Sequence, residues 1–308
     1  RGVELFTNRG YVEAIKMFNK SQIYPLDKPI HAQSIYWEAE SYYRRSSLDS
    51  SATNYKKFLT SSGSFNHPIY NTAHYTLGYI YFKKKEYIDA IPWFKKFINN
   101  KSTENIKIIN DAYIRLADCY YINKKYNEAI ENYDLAIKNK TNDMDYVYYQ
   151  KALALGVIGD YNNKSITLNE LLSNFKKSPY LAEVKYELAN TYSNLNEKEK
   201  AISYYDKVIE EHQNTEFAKK SLLKKGLILY NTDKNEEALV VFKKIVTDYP
   251  NTQESKEAIV TIKNIYIELD KIDEFSTYKN NVPFANVSSN ELDSITYVAA
   301  ENNYIKGD

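Results

Sequence analysis

Apolar and polar positions alternate along this chain with a helical period, and the whole alternation returns every few dozen residues. Small residues recur at Ala14, Ser51, Ala90, Ala129, Ala201 and Ala238. Four residues after each sits an aromatic: Phe18, Tyr55, Phe94, Tyr133, Tyr205 and Phe242. Twelve residues before each sits another small residue: Gly2, Ala39, Gly78, Ala117, Ala189 and Gly226. In the clearest unit, Leu77, Gly78 and Tyr81 share one helical stripe. The polar turn Lys84-Lys85-Glu86 follows, and then a second stripe of Tyr87, Ala90, Phe94 and Phe97. Such spacing predicts two amphipathic helices joined by a short turn. The small residues on each helix let the pair approach closely, and the aromatics fill the space between them. A self-similar period of this kind predicts an all-α solenoid, in which each unit packs only on its neighbours.

Two units break the pattern. Lys164 and Leu168 stand where a small residue and an aromatic are expected, so the fifth unit is degenerate. Phe275 occupies the small position of the eighth, which predicts a looser or bent pair. With both counted as members, successive small positions lie 37, 39, 39, 35, 37, 37 and 37 residues apart. The units run about 1–31, 32–70, 71–109, 110–144, 145–181, 182–218, 219–255 and 256–292, with a partial unit over 293–308, and read as one segment 1–308. Gly2 already holds a first-helix position, and Leu292 to Tyr304, with Ala299 and Ala300 facing in, reads as another first helix. The expectation is a segment cut inside a repeat at both ends. Gly156 and Gly159 sit at the end and in the turn of the fifth unit, where added chain freedom predicts a weak point.

These residues resemble the tetratricopeptide repeat family, including a helix-stopping proline after a second helix, seen as Pro250. The resemblance covers nearly the whole chain. It implies about eight helix pairs in a right-handed superhelix, with the outer positions of the first helices lining a concave face. The period exceeds the usual length of about 34 residues. The surplus falls in linkers such as 175–182 and 247–255, where Pro179 and Pro250 end one helix and polar residues offer caps for the next. Such linkers are similar to those of bacterial envelope repeat proteins, among them the helical lipoprotein of the outer-membrane β-barrel assembly machine. This implies a periplasmic or outer-membrane-associated location over a cytoplasmic one.

The concave positions hold Tyr36, Tyr43, Tyr75, Tyr79, Phe82, Tyr121, Tyr146, Tyr149 and Tyr186. Tyrosine joins a large apolar face to one hydroxyl at low entropic cost, which suits recognition of an extended or helical segment. The competing reading is that these rings pack between helices. Tyr36, Tyr75, Tyr79 and Tyr149 are expected to open into one shared groove with few fixed charges.

Composition adds exclusions. A net charge of +1 over 308 residues gives no electrostatic case for nucleic acid, and no apolar run approaches the ~20 residues of a membrane span. Cys119 is the sole cysteine, expected to be a buried inert thiol. His31, His67, His74 and His212 lack metal-ligand spacing, so neither metal nor cofactor is expected. His74 falls at a packing or groove position. Lys219, Lys220, Lys224 and Lys225 could begin a carboxylate clamp, but Tyr149 and Leu153 stand where the family's clamp would be completed, so a solvated face is expected. With no catalytic constellation, the chain reads as a non-enzymatic scaffold that presents a tyrosine-rich groove to a protein or peptide. The alternative is a targeting arm of a larger enzyme or regulator.

Overall fold

The computed structural model describes residues 1–23, 27–100, 105–140 and 144–282. The expected first helix over Leu292 to Tyr304 lies outside the described residues. Every regular element among the described residues is an α-helix, and each repeat contributes a first and a second helix. They are α1 (Gly2–Thr7) and α2 (Tyr11–Ile23), α3 (Lys28–Arg44) and α4 (Leu48–Thr60), α5 (Tyr70–Lys83) and α6 (Tyr87–Asn99), and α7 (Ile106–Ile122) and α8 (Tyr126–Asn139). The order continues with α9 (Met144–Val157) and α10 (Tyr161–Asn174), α11 (Leu181–Asn194) and α12 (Lys198–Glu211), α13 (Glu216–Tyr230) and α14 (Asn235–Asp248), and α15 (Gln253–Glu268) and α16 (Ile272–Asn280). The chain divides into two compact units, Arg1–Asp160 and Tyr161 onward, so the division falls inside the fifth repeat. Within each unit, consecutive helices pack on one another.

One turn geometry recurs in all eight repeats. Arg9, Ser46, Lys85, Lys124, Asn196, Asp233 and Asp270 adopt φ between 54° and 63°, and Gly159 adopts 79°. Each stands five residues before its repeat's second-helix small position. The following N–H then donates back to the first helix, as Glu86 does to the Tyr81 carbonyl at 3.0 Å and Asp160 to that of Leu155 at 2.9 Å. A left-handed residue there satisfies carbonyls that the helix end leaves open. Gly159 is the one residue of the eight that adopts this conformation without steric cost. The expected weak point is thus the least strained of the turns. The same register holds across the two degenerate repeats.

Inside the helix pairs, two packing solutions alternate. Where the first helix carries glycine, the facing ring is phenylalanine and lies directly over the glycine. A Cβ added to Gly2, Gly78 or Gly226 would meet Phe18, Phe94 or Phe242 at 2.6, 3.0 and 2.7 Å. Where it carries alanine, the ring is tyrosine and its hydroxyl is held by the next residue of the first helix. Tyr55 donates to Glu40 at 2.5 Å, Tyr133 to Asp118 at 2.8 Å and Tyr205 to Asn190 at 2.7 Å. The residue after the glycine is Val3, Tyr79 or Leu227, with no carboxylate or amide for a tyrosine to use.

The degenerate positions are filled rather than loose. Lys164 is buried, and its Nζ donates to Glu187 Oε2 on α11 at 2.5 Å. Phe275 is buried against Tyr266, with ring centroids 6.0 Å apart, in the core formed by α13 to α16.

Candidate partner face on the first helices

On α5, Tyr75, Tyr79 and Phe82 fall at helical spacing and form a ladder, with ring centroids 5.9 and 6.2 Å apart. Tyr75 donates its hydroxyl to Asp111 Oδ2 on α7 at 2.6 Å, joining the first helices of two repeats. Arg115 bridges Asp111 at 3.2 Å and Asp118 at 3.1 Å, and its guanidinium lies 5.6 Å from the Phe82 ring centre. Asp118 also accepts from Tyr146 on α9 at 3.0 Å. Burial pushes the Asp118 carboxyl above its usual range, against the hydrogen bonds and Arg115, which favour its charge. Burial raises the Tyr75 hydroxyl as well, with Asp111 adding to it. Nearer α3, the Lys83 ammonium sits 4.7 Å from the Tyr43 ring centre and 5.4 Å from that of Tyr79.

The candidate aromatics therefore separate into classes. Tyr36 packs on Tyr55 and Phe58 at 5.7 and 5.5 Å, and Tyr75 packs on Phe94 and Phe97 at 6.1 and 5.3 Å. Both stand three residues before the small position, where the side chain reaches across to the second helix. The expectation that they point into a groove and away from the pair cores needs correction: each is half-buried at the edge of its core. Tyr149 holds the same position in α9 and is only 6 % exposed, so it is not an open groove residue. Tyr186 also occupies it, packing on Tyr205 and Phe217, and lies in the second compact unit. Phe82 and Tyr121 lean on Tyr87 and Tyr126 across their turns, at 5.4 and 5.5 Å. Among the described residues, Tyr43 and Tyr79 stack on no ring of their own repeat's second helix.

The expectation of few fixed charges is also corrected, since Lys83, Asp111, Arg115 and Asp118 stand among the rings. Their signal was present in the sequence. Arg115 lies four residues after Asp111 and three before Asp118, the spacing of helical ion pairs. The lysine stretch is not simply solvated: Lys219, Lys220 and Lys225 pair with Glu254, Glu216 and Asp206. Cys119 is buried, and burial with Asp118 beside it pushes its thiol up to about 12. His74 is buried beside Tyr70 and Trp93, and burial together with Lys96 lowers its pKa. Among the described residues no cluster of His, Cys, Asp and Glu could hold a metal ion. No described helix is long and apolar enough to cross a membrane.

Stacked helix pairs with a shared turn and alternating small and aromatic positions define an α-helical repeat protein. Tetratricopeptide repeat models match residues 5–104, 111–143, 182–214 and 220–252, well over half of the chain. The chain belongs to the tetratricopeptide repeat family. No curated protein matches it. Among solved structures, it is similar to the C-terminal part of a tetratricopeptide repeat-containing protein from Cytophaga hutchinsonii, at 19 % identity and a TM-score of 0.61, over 83 % of this chain and 97 % of that one. It is also similar to YrrB, described as a tetratricopeptide repeat protein with an unusual peptide-binding site, at 21 % identity and a TM-score of 0.51, over 65 % and 95 %. A repeat protein from Parabacteroides merdae matches at 12 % identity and a TM-score of 0.50, over 87 % and 98 %. At these identities the likeness establishes the fold. Every family model that matches describes the repeat, a protein-interaction module, and none describes an enzyme.

Proposed function

We propose that this chain is a non-enzymatic scaffold that captures a protein or peptide segment on the first-helix face of α3, α5 and α7. The observation that carries this reading is the half-buried ladder of Tyr79 and Phe82 flanked by Tyr43. These rings contribute contact area without being consumed by their own helix-pair core. Fixed aromatic surface of this kind concentrates binding energy. The test compares the immobilised chain with its Tyr43→Ala/Tyr79→Ala variant for proteins retained from the source cells. Retention lost at unchanged circular dichroism supports the reading. Equal retention by the two, or lost helicity, overturns it.

A periplasmic or outer-membrane-associated location is proposed on the linkers alone. Pro250 ends α14, and the Thr252 hydroxyl caps α15 by accepting from the Ser255 N–H at 3.2 Å. Cell fractionation tests it, and recovery in the cytoplasm contradicts it.

A further inference from the structure

Resting on that reading, we infer that the partner segment presents an acidic side chain to Lys83, Tyr43 and Tyr79, next to an apolar anchor that lies against Phe82. The hydroxyls of the face divide into two groups. Those of Tyr75 and Tyr146 are held by Asp111 and Asp118. Those of Tyr43 and Tyr79 have no hydrogen-bond partner among the described residues, and both rings lie under the Lys83 ammonium. Among the described residues Lys83 itself pairs with no carboxylate, although the next residue, Lys84, pairs with both Asp49 and Glu86. The Lys83 ammonium is held at the face by two rings from different repeats, with no carboxylate in contact among the described residues.

Of the other charges of this face, only the Arg44–Glu40 pair cancels, while Arg115 with Asp111 and Asp118 leaves one formal negative charge beside Phe82. Arg115 is shared by two aspartates, and Arg44 pairs with Glu40 at 2.8 Å. Lys83 and the two ring hydroxyls beside it thus have no acceptor among the described residues. A carboxylate supplies what all three lack, whereas a lysine or arginine at that point would face Lys83 directly. Complementarity of this kind selects among partners more than it adds affinity.

The experiment pans a displayed library of random short peptides against the full chain, its Lys83→Glu variant and its Tyr43→Ala/Tyr79→Ala variant, with helicity checked for each. Peptides enriched on the full chain are expected to carry Asp or Glu beside an aromatic or aliphatic residue. A synthesised winner should lose about fivefold or more in affinity on Lys83→Glu, the scale of one partly exposed ion pair. Its Glu→Lys counterpart should bind that variant better than it binds the full chain. Winners without acidic enrichment, or an acidic winner indifferent to Lys83→Glu, overturn the acidic-partner inference. If such winners still need Tyr43 and Tyr79, the aromatic face itself stands. Winners that bind the double-alanine variant equally well, or a selection that yields none, overturn both.

Discussion

At the residue scale, one choice at the first-helix small position governs two others. Glycine admits a phenylalanine ring against its Cα; alanine goes with a tyrosine that must be tied down by a polar neighbour. Introducing a hydroxyl without its acceptor leaves a buried polar group unsatisfied. Phe242→Tyr should therefore cost about 1–3 kcal/mol. Gly226→Ala gains about 1 kcal/mol of helix propensity but drives a Cβ to 2.7 Å from the Phe242 ring. Overpacking of about 1–3 kcal/mol outweighs that gain. The triple change Gly226→Ala/Leu227→Asn/Phe242→Tyr installs the other solution whole and should recover much of the loss, read as urea midpoints. A second residue-scale prediction concerns Glu38, a buried carboxylate held by Gln22 at 2.7 Å, which forms no ion pair among the described residues and feels the Lys57 charge only at longer range. Burial raises its pKa above the ordinary 4.5. A raised carboxyl binds its proton more tightly in the folded state, so stability falls as pH rises from 4.5 through the folded value. Glu38→Gln should flatten that slope, measured as denaturation midpoint against pH; an unchanged slope would place the titration elsewhere.

At the element scale, the eight identical turns explain how helices of such different sequence keep one register. Seven of the eight left-handed residues are not glycine, and each carries a steric cost of about 1 kcal/mol. Lys85→Gly and Lys124→Gly should each stabilise the chain by roughly 0.5–1 kcal/mol, since relief of the left-handed conformation exceeds glycine's extra unfolded-state entropy. Thermal melting reads this directly, and a lower melting temperature would reverse the argument. The fifth repeat obeys the same turn rule but has replaced its small residue with a buried lysine. Lys164→Ala, although it restores the family's residue type, should destabilise by about 1–3 kcal/mol, because it leaves Glu187 with only its Asn190 hydrogen bond and no cation, and opens a void beside it. The Lys164→Ala/Glu187→Gln pair should cost less than Lys164→Ala alone, as a double-mutant cycle would measure.

At the scale of the molecule, the division into two compact units falls between Asp160 and Tyr161, just after the exposed residues Val157, Ile158 and Gly159. In a repeat array, stability is a sum over units and their interfaces, so each part can hold its own fold. Limited proteolysis should cut first at 157–161, where exposed apolar side chains meet a glycine turn, and leave two fragments that both retain helical circular dichroism. First cleavage inside α5 or α7 would contradict this. The aromatic ladder with Lys83 and Arg115 belongs wholly to the first unit.

What the sequence by itself determined is whatever repeats locally. The helix periods, the small positions and the aromatics four residues on are set within a few turns of chain, and they yielded the helices, their pairing and the register of Lys164 and Phe275. The turn residues were also legible as position, though not as conformation, because lysine, serine and arginine give no sign of a left-handed backbone. Only the tertiary structure decided which aromatic belongs to the core and which to the surface. Tyr36 and Tyr43 look alike on one helix, yet only the first reaches the rings of α4. Nor could spacing reveal that Tyr75 meets Asp111 or that Lys83 meets Tyr43. Those pairings join residues some 36 to 40 positions apart, and their geometry is fixed by how one repeat stacks on the next, which no periodicity within a helix encodes.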